Sequence, residues 1–354
     1  MPIHEQYMRR CLELAVQGAG IVSPNPMVGC VIVHNGSIIG EGYHHEFGGA
    51  HAEVLAIRNV KDKTLLTDSV LYVSLEPCCH HGKTPPCSDL IISSGIKKVV
   101  TGATDPNPSV AGKGIEQMRS HGIEVLTGVL DQECRHVNRR FFCFHNEKRP
   151  YIILKWAETA DRFIDSVRLP GEVAHANWIT CEETRVLVHR WRTEEDAILV
   201  GTNTALLDNP KLNARDWVGK NPLRLTIDRF GKLPRTLHLF DGKAPTLVFC
   251  GPIGMVYPNA EVCSLDFSQS ILPGIMKELY RRNILSLIVE GGKELLDSFI
   301  SCGLWDEALI FSAPMRYNAG TKAPDISGEQ ISEESFGTDV LQKLVNLNKN
   351  QSAV

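Results

Sequence analysis

The chain lacks almost everything that would direct it to a membrane or to nucleic acid. No apolar run in its 354 residues is long enough to span a bilayer. Its first residues, Met1 to Glu5, do not have the charged-then-apolar pattern of a signal peptide. Neither sign of charge is in large excess. The net charge is −4, so no broad basic surface is implied, which argues against a general nucleic-acid binder. There is no internal repeat and no low-complexity tract. No GxGxxG follows an apolar strand, so the common dinucleotide fingerprint is missing. An even cysteine count is missing too. Eleven cysteines in a chain without a secretion signal read as thiols rather than disulfides. Cys11, Cys30, Cys250 and Cys302 sit among apolar residues and are expected to be buried. A cytoplasmic location is expected.

What is present is an ordinary globular composition, 43% hydrophobic and 22% charged. The length is a prior of roughly two domains. Apolar runs predict strands at 30–33 and 38–43, joined by the hairpin signal Asn35-Gly36. Further strands are expected at 70–75, 98–103 and 123–127, with helices at 52–59, 87–94 and 114–121. This alternation predicts a layered α/β domain. Residues 130–144 read as one connecting helix and 146–150 as a polar linker, which puts the domains at 1–147 and 148–354. The second half offers strands at 151–156, 198–200, 223–227, 246–249 and 285–289. Its sheet is expected to end near 308–312, before a polar tail from Gly328.

His51-Ala52-Glu53, then Pro77-Cys78, then Cys87, carry the strongest chemical signal. One imidazole and two thiolates give zinc three protein ligands and leave a fourth position for water. Zinc lowers the pKa of that water far enough to yield hydroxide near neutral pH. His51 and Cys87 both fall at predicted helix starts, where a thiolate is favoured. Glu53 is too close to His51 to be a comfortable ligand and is well placed to shuttle protons. The other reading is a closed zinc knot, for which Cys79, His80 or His81 could supply a fourth ligand.

Four segments make the pattern specific: SPNPMVGCVI at 23–32, GAHAEVLA at 49–56, LEPCCHHGKTPPC at 75–87 and DPNPSVAGKG at 105–114. Together they resemble the bifunctional deaminase/reductases of riboflavin biosynthesis. The resemblance implies a cytidine-deaminase-like three-layer α/β domain followed by a dihydrofolate-reductase-like domain. It implies zinc on His51, Cys78 and Cys87, with Glu53 as the catalytic residue. Asn25, His44, His80, Lys83, Asp105 and Asn107 match positions lining the deaminase pocket. Asn25 and Asn107 also stand in Pro-Asn-Pro turns, where an asparagine often serves the turn itself.

In the second half, Glu290-Gly291-Gly292 ends a predicted strand and precedes a predicted helix at 293–300. Such a turn suits an anion or simply a tight connection. LKWAETAD at 154–161, the stretch 189–215 and VEGG at 289–292 are similar to the family's reductase domain. That similarity implies NADPH as cofactor, met by Trp178, Thr204, Asp208, Arg229, Gly291 and Gly292. It implies substrate contacts from Arg192, Leu212, Arg215 and Glu290. Small phosphoribosyl pyrimidines are the expected partners, with no nucleic acid, no membrane, and assembly as a homo-oligomer. Three departures stand out: Arg162 where relatives carry glycine, Ala176-Asn177-Trp178 where a serine often precedes the tryptophan, and Arg229 where they carry serine. An impaired reductase, an RNA deaminase and a zinc-stabilised binding protein are the rival readings at this stage.

Overall fold

The computed structural model describes residues 3–79, 85–169, 172–251 and 254–347. It divides into two compact units, Met1–Lys148 and Arg149–Val354.

The N-terminal unit has the elements α1 (Ile3–Ala15), β1 (Gly29–His34), β2 (Ser37–Tyr43), α2 (Ala52–Asn59), β3 (Val70–Leu75) and α3 (Cys87–Ser93). They are followed by β4 (Lys98–Ala103), α4 (Lys113–Ser120), β5 (Glu124–Leu126), α5 (Asp131–Val137) and α6 (Arg139–Glu147). The sheet order is β2-β1-β3-β4-β5. The pairs β1–β2 and β1–β3 are antiparallel, and the rest run parallel. Because side chains alternate across a strand, Cys30, Ile32, Leu71, Val73 and Val99 share one face. Ala52, Ala56, Ile91, Ile115 and Met118 from α2, α3 and α4 pack against it. The helix α1 lies against β1 and β3. Helix, sheet and helix form three layers.

Two glycines set how close α2 comes to the sheet. A Cβ on Gly40 would stand 2.5 Å from the Ala56 carbonyl oxygen, and one on Gly42 would stand 2.6 Å from that of Ala52. Side chains at those positions would push α2, and the His51 and Glu53 at its start, away from β2.

The connecting helix expected at 130–144 is two helices. The chain breaks at Asn138 (φ −98°, ψ 20°). Its side chain accepts from the Met27 amide at 2.8 Å and donates to the Met27 carbonyl at 2.9 Å. Asparagine side chains compete in this way with helical hydrogen bonding. The expected polar linker is also displaced. The helix α6 runs through Glu147, and Arg149 is buried. Arg149 forms a bidentate pair with Asp306 at 2.6 and 2.7 Å.

The C-terminal unit contains β6 (Tyr151–Thr159), β7 (Phe163–Ser166), α7 (Glu182–Glu194), β8 (Ala197–Val200), α8 (Thr202–Asp208), β9 (Leu223–Asp228) and β10 (Thr246–Cys250). Then come β11 (Glu261–Ser264), α9 (Leu272–Arg281), β12 (Ser286–Val289), α10 (Lys293–Ser301) and β13 (Glu307–Ala313). The last strands are β14 (Gly320–Lys322), β15 (Glu329–Phe336) and β16 (Asp339–Val345). The large sheet runs β11-β10-β9-β8-β12-β6-β13-β16-β15. It is parallel from β11 to β13, while β16 and β15 are antiparallel additions. On one face Leu154, Leu199, Leu247 and Val289 meet Ile275, Leu279, Leu296 and Phe299 of α9 and α10. On the other, Trp191 of α7 stacks on Phe311, ring centroids 5.6 Å apart.

The sheet therefore does not end near 308–312. Its polar tail forms a hairpin whose outer strand is mostly exposed and carries no apolar run. Backbone pairing and cross-strand contacts such as Lys343–Glu334 hold it. Cys11, Cys30 and Cys250 are buried, but Cys302, just past the end of α10, is exposed.

Candidate zinc centre and nucleotide cleft

The zinc-type site forms where β3 ends and α2 and α3 begin. His51 is the N-cap of α2, and Cys87 is the first residue of α3. His51 Nδ1 lies 3.2 Å from Cys87 Sγ and 3.6 Å from Cys78 Sγ. All three ligand atoms fall within 4.8 Å of one another. A tetrahedral zinc with bonds of about 2.0–2.3 Å separates neighbouring ligand atoms by roughly 3.5–3.8 Å. The three side chains fit such an ion. The Cys87 amide and its thiol both point to Cys78, and hydrogen bonds to Cys87 and His51 draw the Cys78 thiol toward its anion.

Glu53 is the second residue of α2 and 3% exposed. Its Oε2 has no hydrogen-bond partner among the described residues. Burial, then the charge of Cys78, pushes its carboxyl up to about 7. An orphaned buried carboxylate oxygen beside three ligands is what an open fourth coordination position calls for.

Other predicted residues gather around this point. His44 Nδ1 sits 3.0 Å from the Ala50 carbonyl, which makes it the protonated nitrogen. Its Nε2 then accepts from Asn25 Nδ2 at 2.9 Å. The His44 and His51 rings meet edge to face at 5.4 Å. Burial pushes Asp105 up to about 7, with the nearby Glu76 and Cys78 adding to it. Asn107 Oδ1 accepts from the Ser109 amide at 3.0 Å, so this carbonyl serves its own turn. His80 and Lys83 lie outside the described residues. Sequence reading passed over Glu76. This buried carboxylate accepts from the amides of Asp105, Gly112, Gly114 and Ile115 at 2.9–3.3 Å. It ties the Asp105 loop to the strand end that leads into Cys78. The four-donor cradle depends on tertiary folding and leaves no local signal.

In the C-terminal unit a cleft of about 1010 Å³ opens beyond the ends of β8, β9 and β12 and beside Lys155, Trp156 and Ala157 of β6. This is where open α/β sheets place ligands. Trp178, Arg192, Thr204, Asp208, Leu212, Arg215, Glu290, Gly291 and Gly292 all line it. Glu290 pairs with Arg192 at 2.8 Å and stands 3.9 Å from Lys155. Burial alone would raise the Glu290 carboxyl, but those two cations outweigh it and hold it at about 2. Arg215 is partly exposed, and its nearest carboxylate is Asp216 at 3.7 Å. Gly291 has φ +112°, a backbone state that side chains disfavour. A Cβ on Gly292 would stand 3.1 Å from Thr204 Oγ1, so the turn and α8 meet closely.

Arg229 is not on the cleft wall. It is exposed, with its guanidinium 4.8 Å from the Phe230 ring centroid and 5.8 Å from that of Phe267, which does line the cleft. Arg162 has φ +63°, in the left-handed region that favours glycine. It occupies the turn after β6, donates to the Pro324 carbonyl, and is absent from the cleft. Lys155 and Arg168 line the cleft and were not singled out from sequence, and Asn177, at the place of the replaced serine, lines it too.

A three-ligand zinc site on a three-layer domain, joined to a second α/β domain with a nucleotide-sized cleft, defines a two-domain deaminase/reductase. The family pattern "Cytidine and deoxycytidylate deaminase zinc-binding region" matches residues 1–103, and "RibD C-terminal domain" matches residues 150–347. The chain is 39% identical over 341 residues to the riboflavin biosynthesis protein RibD of Actinobacillus pleuropneumoniae, covering 92% of this chain and 88% of that one. To RibD of Bacillus amyloliquefaciens it is 40% identical over 338 residues, covering 92% and 89%. The solved diaminohydroxyphosphoribosylaminopyrimidine deaminase/5-amino-6-(5-phosphoribosylamino)uracil reductase of Thermotoga maritima superposes with a TM-score of 0.87. It is 39% identical, over 97% of this chain and 99% of that one. The chain belongs to the RibD family, the bifunctional deaminase/reductases of riboflavin biosynthesis. Among the described residues no helix is long and apolar enough to cross a membrane.

Proposed function

We propose that the N-terminal unit deaminates 2,5-diamino-6-(5-phosphoribosylamino)pyrimidin-4-one. The C-terminal unit then reduces the ribosyl chain of 5-amino-6-(5-phosphoribosylamino)uracil with NADPH. One observation carries the deaminase half: the unpartnered Oε2 of Glu53 beside the His51, Cys78 and Cys87 ligand atoms.

His51, Cys78 and Cys87 would hold zinc, which would supply a nucleophilic water near neutral pH. Glu53 Oε2 would take a first proton from the attacking water and pass it to the ring nitrogen, then take the second from the resulting hydroxyl and pass it to the departing amine as the C–N bond breaks. A buried carboxyl with one oxygen free of other partners among the described residues can serve both transfers. Asn25 and His44 form a polar wall beside the ligands, and Asp105 faces them from its loop. Lys83 and His80 are read as substrate contacts by family resemblance.

NADPH supplies the hydride to the second half-reaction. Gly291-Gly292, where small residues expose backbone N–H groups at the start of α10, would hold its phosphates. Thr204 meets that turn, Asp208 and Trp178 stand elsewhere on the cleft wall, and Arg229 lies outside it, close to Phe267. Arg215 is the freer cation for the substrate phosphate, while Arg192 keeps Glu290 ionised. Leu212, 2% exposed, supplies an apolar wall. Phosphorylated substrates and NADPH imply action in the cytoplasm. Assembly as a homo-oligomer follows from family resemblance and is read by light scattering.

The test is incubation with the diaminopyrimidine substrate, with and without NADPH. Ammonia release without NADPH, and NADPH oxidation only after it, is the expected result. NADPH oxidation without ammonia release, or ammonia without any later oxidation, would overturn the two-step reading.

A further inference from the structure

Asp165 near the end of β7 and Asp208 at the end of α8 both line the cleft. Neither stands there as an isolated charge. Arg168 Nε donates to Asp165 Oδ2 at 2.8 Å, and Nη2 donates to Asp208 Oδ1 at 2.5 Å. Nη1 donates to the carbonyls of His175 and Leu207 at 2.8 and 3.0 Å. The side chain is only 13% exposed. Asn177 Nδ2 adds a bond to Asp165 Oδ1 at 2.6 Å. Among the described residues, Arg168 is the only cation in ion-pair range of either carboxylate. Burial pushes the Asp208 carboxyl up, and Arg168 opposes that shift.

The location gives this pair its meaning. Thr204 and Asp208 are four residues apart on α8 and so share a helix face. That face meets Gly292 through Thr204. A dinucleotide entering there brings several negative charges. Two uncompensated carboxylates on the wall would repel it at short range, where screening by salt is weak.

We propose that Arg168 is a positioning residue for the nucleotide: it neutralises Asp165 and Asp208 and pins the end of β7 to the end of α8, so that the cleft wall accepts a polyanion. The inference rests on the reading that this cleft takes NADPH. It requires arginine, because a lysine ammonium cannot serve two carboxylates and two carbonyls in one plane.

The experiment is NADPH binding to the full chain without substrate, followed by quenching of its tryptophan fluorescence. Arg168→Ala weakens NADPH by about tenfold or more. Arg168→Ala combined with Asp165→Asn recovers to within about threefold of the parent, because one of the two exposed carboxylates is gone. Arg168→Ala binding within about twofold of the parent overturns the proposal. A double variant as weak as Arg168→Ala also overturns it, by showing that the arginine only braces the chain. A parent chain that binds no NADPH instead removes the reading of the cleft itself, and this inference with it.

Discussion

In the N-terminal unit three ligand atoms gather within 4.8 Å at the starts of two helices. In the C-terminal unit a cleft of about 1010 Å³ takes its walls from strand ends, helix starts and loops spread between Lys155 and Thr321. The first arrangement concentrates its chemistry in a few side chains, so removing one removes the activity. The second distributes recognition over many weak contacts, so single changes grade it. Local chemistry is brittle, and distributed binding is tunable.

The sharpest break of that comparison is Cys87→Ser. It removes a zinc ligand, so metal content and ammonia release both fall to background. Units with their own cores act independently, so reduction of pre-deaminated intermediate continues. Loss of both activities in a folded variant would show that the two units are not separable.

Next in size is Glu53→Gln, which keeps the three ligands. Zinc content stays normal while ammonia release drops by about 10²–10⁴. The upper end is expected, because no other described carboxylate stands in this role. Near-normal ammonia release from zinc-loaded protein would remove Glu53 from the mechanism.

Glu290 probes the cleft through stability. Its carboxyl lies at about 2 against an ordinary 4.5. A depressed carboxyl stabilises the fold above its unfolded pKa, and that contribution is lost as pH falls from about 4.5 toward about 2. The whole effect is at most about 3 kcal/mol. In urea titrations across that window, Glu290→Gln should lose stability less steeply than the parent. Parallel curves would mean that Glu290 is not held ionised by Arg192 and Lys155.

The smallest expected effect is at Arg229. A guanidinium at the rim can meet the 2′-phosphate that distinguishes NADPH from NADH. Arg229→Ser then weakens NADPH by about tenfold and NADH hardly at all. Equal effects on both, or none, would leave Arg229 as a surface charge stacked on Phe230.

The same contrast governs what could be read in advance. His51, Cys78 and Cys87 announce themselves because each follows or opens a regular element, and metal ligands must be of particular types. Most strands of both sheets are legible because their cores need apolar runs, whereas β11, an edge strand with no buried residue, is not. Asn138 was hidden, since its break serves Met27, far away in sequence. The β15–β16 hairpin was hidden because an exposed edge strand needs no apolar pattern. Arg168 was hidden for a related reason. In sequence it is one charge among many, and only folding sets it between Asp165 and Asp208.

The bond between Asn138 and Met27 also bears on the order of folding. It joins positions 111 residues apart, and both backbone groups of Met27 are paired through that one side chain. During synthesis residues 25–27 are made early, yet the Met27 backbone groups lack their Asn138 partner until the chain has grown past α5. The segment next to Asn25 therefore gains these two bonds only after all five strands of its sheet have been made. A fragment ending before Asn138 should exchange the Met27 amide hydrogen freely, while the whole unit protects it.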